Sequence, residues 1–215
     1  RRQYYFFWQF SGKQLGNIQG TKSSHHSKQI RFGFRRRSGK GLYTRHLPKR
    51  LINEHCNFME IIKTELEGVV IIQPRIFKDN RGYFFESFSQ KEFDEKVMPI
   101  RFVQDNESLS TYGVMRGLHY QKMPYTQSKL VRCTKGQILD IALDIRKGSP
   151  TFGKHVAVEL TEENHLQLFI PKGFAHGFAV LSKEAILQYK CDNFYNPQAE
   201  AGIQLRDEAL EIDWK

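Results

Sequence analysis

Gln137-Ile138-Leu139-Asp140-Ile141-Ala142-Leu143-Asp144-Ile145-Arg146 alternates side-chain character with a period of two. Leu139, Ile141, Leu143 and Ile145 fall on one face of an extended chain, and Asp140, Ala142 and Asp144 on the other. The carboxylates could simply face solvent, the usual arrangement for one strand of an open sheet. In a closed barrel the same polar face could instead look into a lumen.

The chain on either side repeats the strand signal. His155 to Leu160 sets Val156, Val158 and Leu160 together, and Gln167 to Ile170 and Ala185 to Lys190 continue the series between turns bearing Gly, Pro and Asn. Upstream, Val69-Val70-Ile71-Ile72 is short and β-branched, and Asp79-Asn80-Arg81-Gly82 is a turn leading into Tyr83-Phe84-Phe85-Glu86. One helix is expected, because Ser89 followed three residues later by Glu92 is a capping box ahead of Phe93 and Val97. Many short strands and little helix predict an all-β sandwich or barrel.

Two stretches carry chemistry. Val114-Met115-Arg116-Gly117-Leu118-His119-Tyr120-Gln121 sets a cation, a flexible glycine and an imidazole within four residues, and Lys129 follows ten residues later. The Arg can hold an anion, the His can move a proton near neutral pH, and the Lys can stabilise an oxyanion. The second stretch, Pro171-Lys172-Gly173-Phe174-Ala175-His176-Gly177-Phe178, places another imidazole at a strand-turn-strand. It resembles the second signature of the cupin superfamily, which implies a jelly roll, the double-stranded β-helix. Metal-dependent cupins add a His-x-His on the earlier motif, where this chain has His119-Tyr120-Gln121. One or two isolated imidazoles do not make a three- or four-ligand site, so no metal and no other cofactor is expected.

Seven motifs then occur in a fixed order: Arg81 to Glu86, Phe102 to Asn106, Arg116 to His119, Lys129 to Arg132, Asp144 to Gly153, Ile170 to Gly177, and Tyr189-Lys190 through Tyr195-Asn196-Pro197. Together they resemble the dTDP-4-dehydrorhamnose 3,5-epimerase family, over about Met59 to Lys215. The resemblance implies inversion of C3 and C5 in a 4-keto-6-deoxyhexose carried on dTDP, through an enolate. It implies His119 as general base, Lys129 as the cation near the C4 oxygen, and Tyr189 as the acid on the opposite face. Arg81, Glu86, Gln104, Asn106 and Arg116 match positions lining the nucleotide-sugar site. His176 matches a position near the sugar, and Asp140 a polar lumen residue. A homodimer is implied as well, with Arg81 and the aromatic run beside it serving the partner's site. These residues do not separate two-carbon epimerisation from a single-site epimerase or a ketoisomerase on a related sugar, nor from a catalytically impaired homologue.

Composition divides the chain. Residues 1–58 hold 13 Lys and Arg and a single acid, Glu54, for a net charge of +12; residues 59–215 hold 20 basic and 22 acidic residues, for −2. A charge this basic suggests a nucleic-acid or membrane-surface binder when taken whole. It belongs, however, to a segment without strand or helix periodicity, which reads as a non-native or disordered basic extension of the domain at 59–215, with no nucleic-acid or membrane partner. Cys56, Cys133 and Cys191 show no CxxC spacing, which fits a reducing compartment and a cytoplasmic location. In the family, the Asp that orients the base lies in a Leu-Ser-x-Lys-Asp stretch beyond Glu211-Ile212-Asp213-Trp214. The chain stops at Lys215. The expectation is therefore a C-terminally truncated domain with reduced activity.

Overall fold

The computed structural model describes residues 59–215; the readings made for 1–58 lie outside the described residues. Thirteen strands and one short α-helix form two facing antiparallel sheets and a small hairpin. The six-stranded sheet runs β1 (Met59–Lys63), β2 (Val70–Pro74), β10 (Gln167–Ile170), β7 (Lys129–Lys135), β12 (Glu184–Cys191), β5 (Gln104–Thr111). The five-stranded sheet runs β13 (Glu200–Gly202), β6 (Met115–Gln121), β11 (Phe174–Val180), β8 (Gln137–Asp144), β9 (His155–Thr161). Neighbours in space are mostly distant in sequence, as in a jelly roll. The hairpin pairs β3 (Phe77–Asp79) with β4 (Gly82–Phe84) across the expected Asp79–Gly82 turn.

The alternation in β8 resolves in favour of a lumen. Ile138 and Ala142 belong to the core between the sheets, and Asp140, which shares their face, is fully buried. Leu139, Ile141 and Leu143 point the other way, out of the sandwich, yet each is at most 2% exposed. They are covered by the C-terminal segment, whose Ile203, Leu205, Leu210, Ile212 and Trp214 pack on them. Trp214 Nε1 donates to the carbonyl of Leu205 at 2.8 Å, so the indole keeps its hydrogen bond while its ring is packed. A strand apolar on one face and acidic on the other is thus buried on both, because a later segment supplies the second cover.

The helix α1 (Gln90–Lys96) begins where the capping box predicts. Ser89 Oγ accepts from the Glu92 backbone N–H at 3.5 Å, and Phe93 is wholly buried against Phe169. At the other end of β8, Asp144 is 0% exposed and receives hydrogen bonds from Arg146, Ser149 and Thr151 at 2.7–3.0 Å. Burial raises the carboxyl pKa, but these donors outweigh it and hold the group well below the usual carboxylate range.

Candidate active site

His119 lies on β6 directly opposite His176 of β11, and opposite Gly202 of β13 on its other side. Opposed residues in an antiparallel pair point to the same face. Both imidazoles therefore enter the space between the sheets, and Glu200, two residues from Gly202 and opposite Gln121, joins them. Gly117 lets these strands approach. A Cβ there would stand 2.4 Å from Gly177 Cα, at a φ of 129°. The glycine read as flexible in the sequence is instead a point of backbone contact.

The facing sheet supplies Lys129 and Tyr189. Lys129 on β7 is paired with Cys191 of β12, and its Nζ lies 5.7 Å from the centre of the Tyr189 ring. The Tyr189 ring stands 6.4 Å from that of His176. The imidazole intended as base and the phenol intended as acid thus belong to opposite sheets. A cavity of about 430 Å³ is lined by His119, Lys129 and His176, with Lys122 and Lys147 at its walls, whereas Tyr189 lines a second cavity together with Asn106 and Arg132.

His119 is exposed to this cavity, but protein atoms around the ring remove enough water to lower its pKa below that of an ordinary imidazole. Lys129, His176 and Arg116 push in the same direction, and Glu200 opposes them. The ring is therefore neutral at neutral pH, as a base requires. Burial likewise lowers the Lys129 pKa, against the pull of Cys191, Asp140 and Glu200. The Tyr189 phenol is pushed up to about 12 by desolvation, so it holds its proton until a strongly basic centre forms.

His176 Nε2 and Asp140 Oδ1 are 2.8 Å apart, both side chains buried, and Asp140 Oδ2 has no hydrogen-bond partner among the described residues. Gln104 and Asn106 at the start of β5 are joined to each other at 3.0 Å. Gln104 accepts from the Tyr195 backbone N–H, and Asn106 Nδ2 donates to Cys191 Sγ at 3.8 Å. Arg116 donates to buried Ser110 at 3.1 Å and is otherwise exposed. Arg81 and Glu86 stand apart from this group. Arg81 pairs with Asp79 at the hairpin turn, its side chain 81% exposed, and neither residue lines the cavity.

Sequence reasoning passed over Glu200, Cys191, Lys122 and Lys147. Glu200 follows the quoted Tyr195-Asn196-Pro197 motif and accepts from the Tyr195 hydroxyl at 2.5 Å. The spacing from that motif was its only signal. Among the described residues no group of three or more His, Cys, Asp or Glu side chains is placed to hold a metal ion.

The sequence pattern of the dTDP-4-dehydrorhamnose 3,5-epimerase family matches residues 63–215. The dTDP-4-dehydrorhamnose 3,5-epimerase of Shigella flexneri is 57% identical over 157 residues, 73% of this chain and 87% of that protein. Among solved structures, that of the Elizabethkingia anophelis dTDP-4-dehydrorhamnose 3,5-epimerase matches with a TM-score of 0.71 at 50% identity, covering 74% of this chain and 87% of its own. A dTDP-6-deoxy-D-glucose-3,5-epimerase of Legionella pneumophila, in complex with dTDP-4-keto-L-rhamnose, matches with a TM-score of 0.71 at 52% identity, covering 73% and 83%. With a two-sheet jelly roll that sets imidazole against phenol, and a family match over most of its length, this chain belongs to the dTDP-4-dehydrorhamnose 3,5-epimerase family.

Proposed function

We propose that this protein epimerises C3 and C5 of dTDP-4-dehydro-6-deoxy-D-glucose, giving dTDP-4-dehydro-L-rhamnose. The observation that carries the reading is the placement of His119 and Tyr189 on opposing sheets, with Lys129 beside the phenol. A proton alpha to a ketone becomes removable when a base reaches it and the enolate oxygen is stabilised. His119, neutral at physiological pH, takes the proton. The Lys129 ammonium meets the charge developing on the C4 oxygen. Tyr189 returns a proton to the carbon from the other side, which inverts it. The raised phenol pKa suits this order of events, because Tyr189 yields its proton only to a centre as basic as the enolate.

The remaining residues bind. Gln104, Asn106 and Arg116 offer amide and guanidinium donors to the nucleotide sugar, His176 borders the sugar with buried Asp140 bonded behind it, and Lys122 and Lys147 add positive charge for the diphosphate. The protein acts as a cytoplasmic homodimer in which Arg81 and Glu86 reach the neighbour's cavity. Support comes from the exposed hairpin that carries Arg81, where Tyr83 and Phe84 are 59% and 66% exposed. Residues 59–215 form the catalytic domain, and 1–58 are an extension to it.

Incubation with dTDP-4-dehydro-6-deoxy-D-glucose in D₂O tests the reading. Two solvent deuterons should appear in the product, one at C3 and one at C5. Label at a single carbon refutes double epimerisation, and His119→Asn should label neither.

A further inference from the structure

The hairpin of β3 and β4 belongs to neither large sheet, and its strands are three residues long. Two short strands alone are marginal in water, so contacts with the rest of the fold must hold them. The Arg81–Asp79 ion pair is exposed and lies within the hairpin, so it ties the turn only to itself. Tyr83, Phe84 and Phe85 also stand outside the three buried hydrophobic clusters of the fold.

The aromatic side chains of this segment meet one imidazole. His165, in the turn between β9 and β10, has its ring 4.8 Å from that of Tyr83 and 5.0 Å from that of Phe85, and those two rings stack on each other at 6.0 Å. All three spacings fall where aromatic rings attract. Tyr83 and Phe85, two residues apart, turn to the same side, which leaves Phe84 between them 66% exposed on the other. The His165 backbone has a φ of 53°, in the left-handed region, where a residue other than glycine stays only if its surroundings fix it. They do: Asn164 Oδ1 accepts from the N–H groups of Thr161 and Leu166 at 3.1 and 2.9 Å, and Thr161 Oγ1 from those of Glu163 and Asn164 at 3.2 and 3.0 Å. Burial, Lys78 and Arg132 lower the imidazole pKa, against Glu163, so the ring meets Tyr83 and Phe85 uncharged.

Building on the homodimer reading, in which Arg81 and Glu86 reach the neighbour's cavity, we infer that His165 is a positioning residue. It docks the hairpin on its own subunit and so aims Arg81 and Glu86 at the nucleotide sugar bound by the neighbour. With Tyr83 and Phe85 engaged by His165, the side that carries Phe84 is left to face that neighbour. His165 touches no reacting atom. Its loss weakens substrate binding and leaves the proton transfers at His119 and Tyr189 as they are.

Two variants test this. His165→Asn removes the ring and keeps a residue that tolerates a left-handed backbone, and His165→Phe keeps an uncharged ring. Trypsin cleavage of the full chain after Lys78 and Arg81, followed by mass spectrometry below the melting transition, reads opening of the hairpin. His165→Asn should be cut there at least tenfold faster than the parent, and His165→Phe within threefold of the parent. Unchanged cleavage of His165→Asn overturns the docking, as does His165→Phe cut as fast as His165→Asn. With dTDP-4-dehydro-6-deoxy-D-glucose as substrate, His165→Asn should raise KM at least fivefold while kcat stays within twofold, and His165→Phe should restore KM. An unmoved KM, or a kcat that falls alone, overturns the positioning role. If the parent chain turns over no substrate, the epimerase reading itself has failed, and the docking by His165 stands or falls on the cleavage rates.

Discussion

Gly117 and Gly177 touch backbone to backbone across β6 and β11, so closely that a methyl on Gly117 would sit 2.4 Å from Gly177 Cα and 2.8 Å from the His176 carbonyl oxygen. The same contact fixes the spacing of the strands that present His119 and His176 as opposed residues. Gly117→Ala combines overpacking with a side chain at φ 129°, and each effect costs about 1–3 kcal/mol. The variant should melt well below the parent and lose kcat even where it remains folded, because the two imidazoles are pushed apart. Wild-type kcat in a folded Gly117→Ala protein would show that the close approach does not set the site.

Glu200 raises the His119 pKa, against the desolvation and the influence of Lys129, His176 and Arg116, which lower it. Because the base works in its neutral form, kcat/KM should fall on the acid side only below the ordinary imidazole value of about 6.5. Glu200→Gln removes the opposing influence, lowers the His119 pKa further, and shifts that acid limb to lower pH. The shift is read from the pH profile of kcat/KM. A limb that moves upward or stays in place contradicts the assignment of His119 as base.

Much of this site is legible in the sequence, and the missing parts share one physical cause. The Ser89–Glu92 cap, the Asp79–Gly82 turn and the two-residue period of β8 are local signals, and each appears where its residues direct. Which face of β8 looks inward is not local: it depends on Ile203 to Trp214 covering the side that carries Leu139, Ile141 and Leu143. Glu200 joins His119 through the register of β13 on β6, and Cys191 meets Lys129 through the register of β12 on β7, pairings separated by about sixty to eighty residues of chain. Side chains brought together by register have no spacing of their own to betray them.

Asp144 anchors the loop that follows β8. Its carboxyl is fully buried and its pKa is depressed by Arg146, Thr151 and Ser149, which overcome the effect of burial. Removing one partner of a buried, hydrogen-bonded ion pair costs about 3–5 kcal/mol. For a domain of this size, Asp144→Ala should lower Tm by at least ~6 °C. The sign with pH follows from the depression. The ionised carboxylate contributes fully above the unfolded pKa of about 3.9, and that contribution is lost as the pH falls toward the lower folded value. The stability difference between the parent and Asp144→Asn should therefore be full at pH 6 and shrink below about pH 4. A difference that grows on acidification contradicts this account.

Trp214 tests whether the outer cover of β8 supports the fold separately from the chemistry. Its ring packs on the cluster of Leu139, Ile141 and Leu143, its Nε1 bonds Leu205, and it is absent from the cavity lining. Truncating a buried Trp costs about 3–5 kcal/mol, and a half-buried one correspondingly less, about 2 kcal/mol. Trp214→Ala should thus lower Tm by roughly 4–8 °C. Well below the transition, kcat should stay near the parent value, because the residues between the sheets keep their register. Parallel loss of kcat at low temperature would mean that the segment from Ile203 to Trp214 shapes the site as well as the sheet it covers.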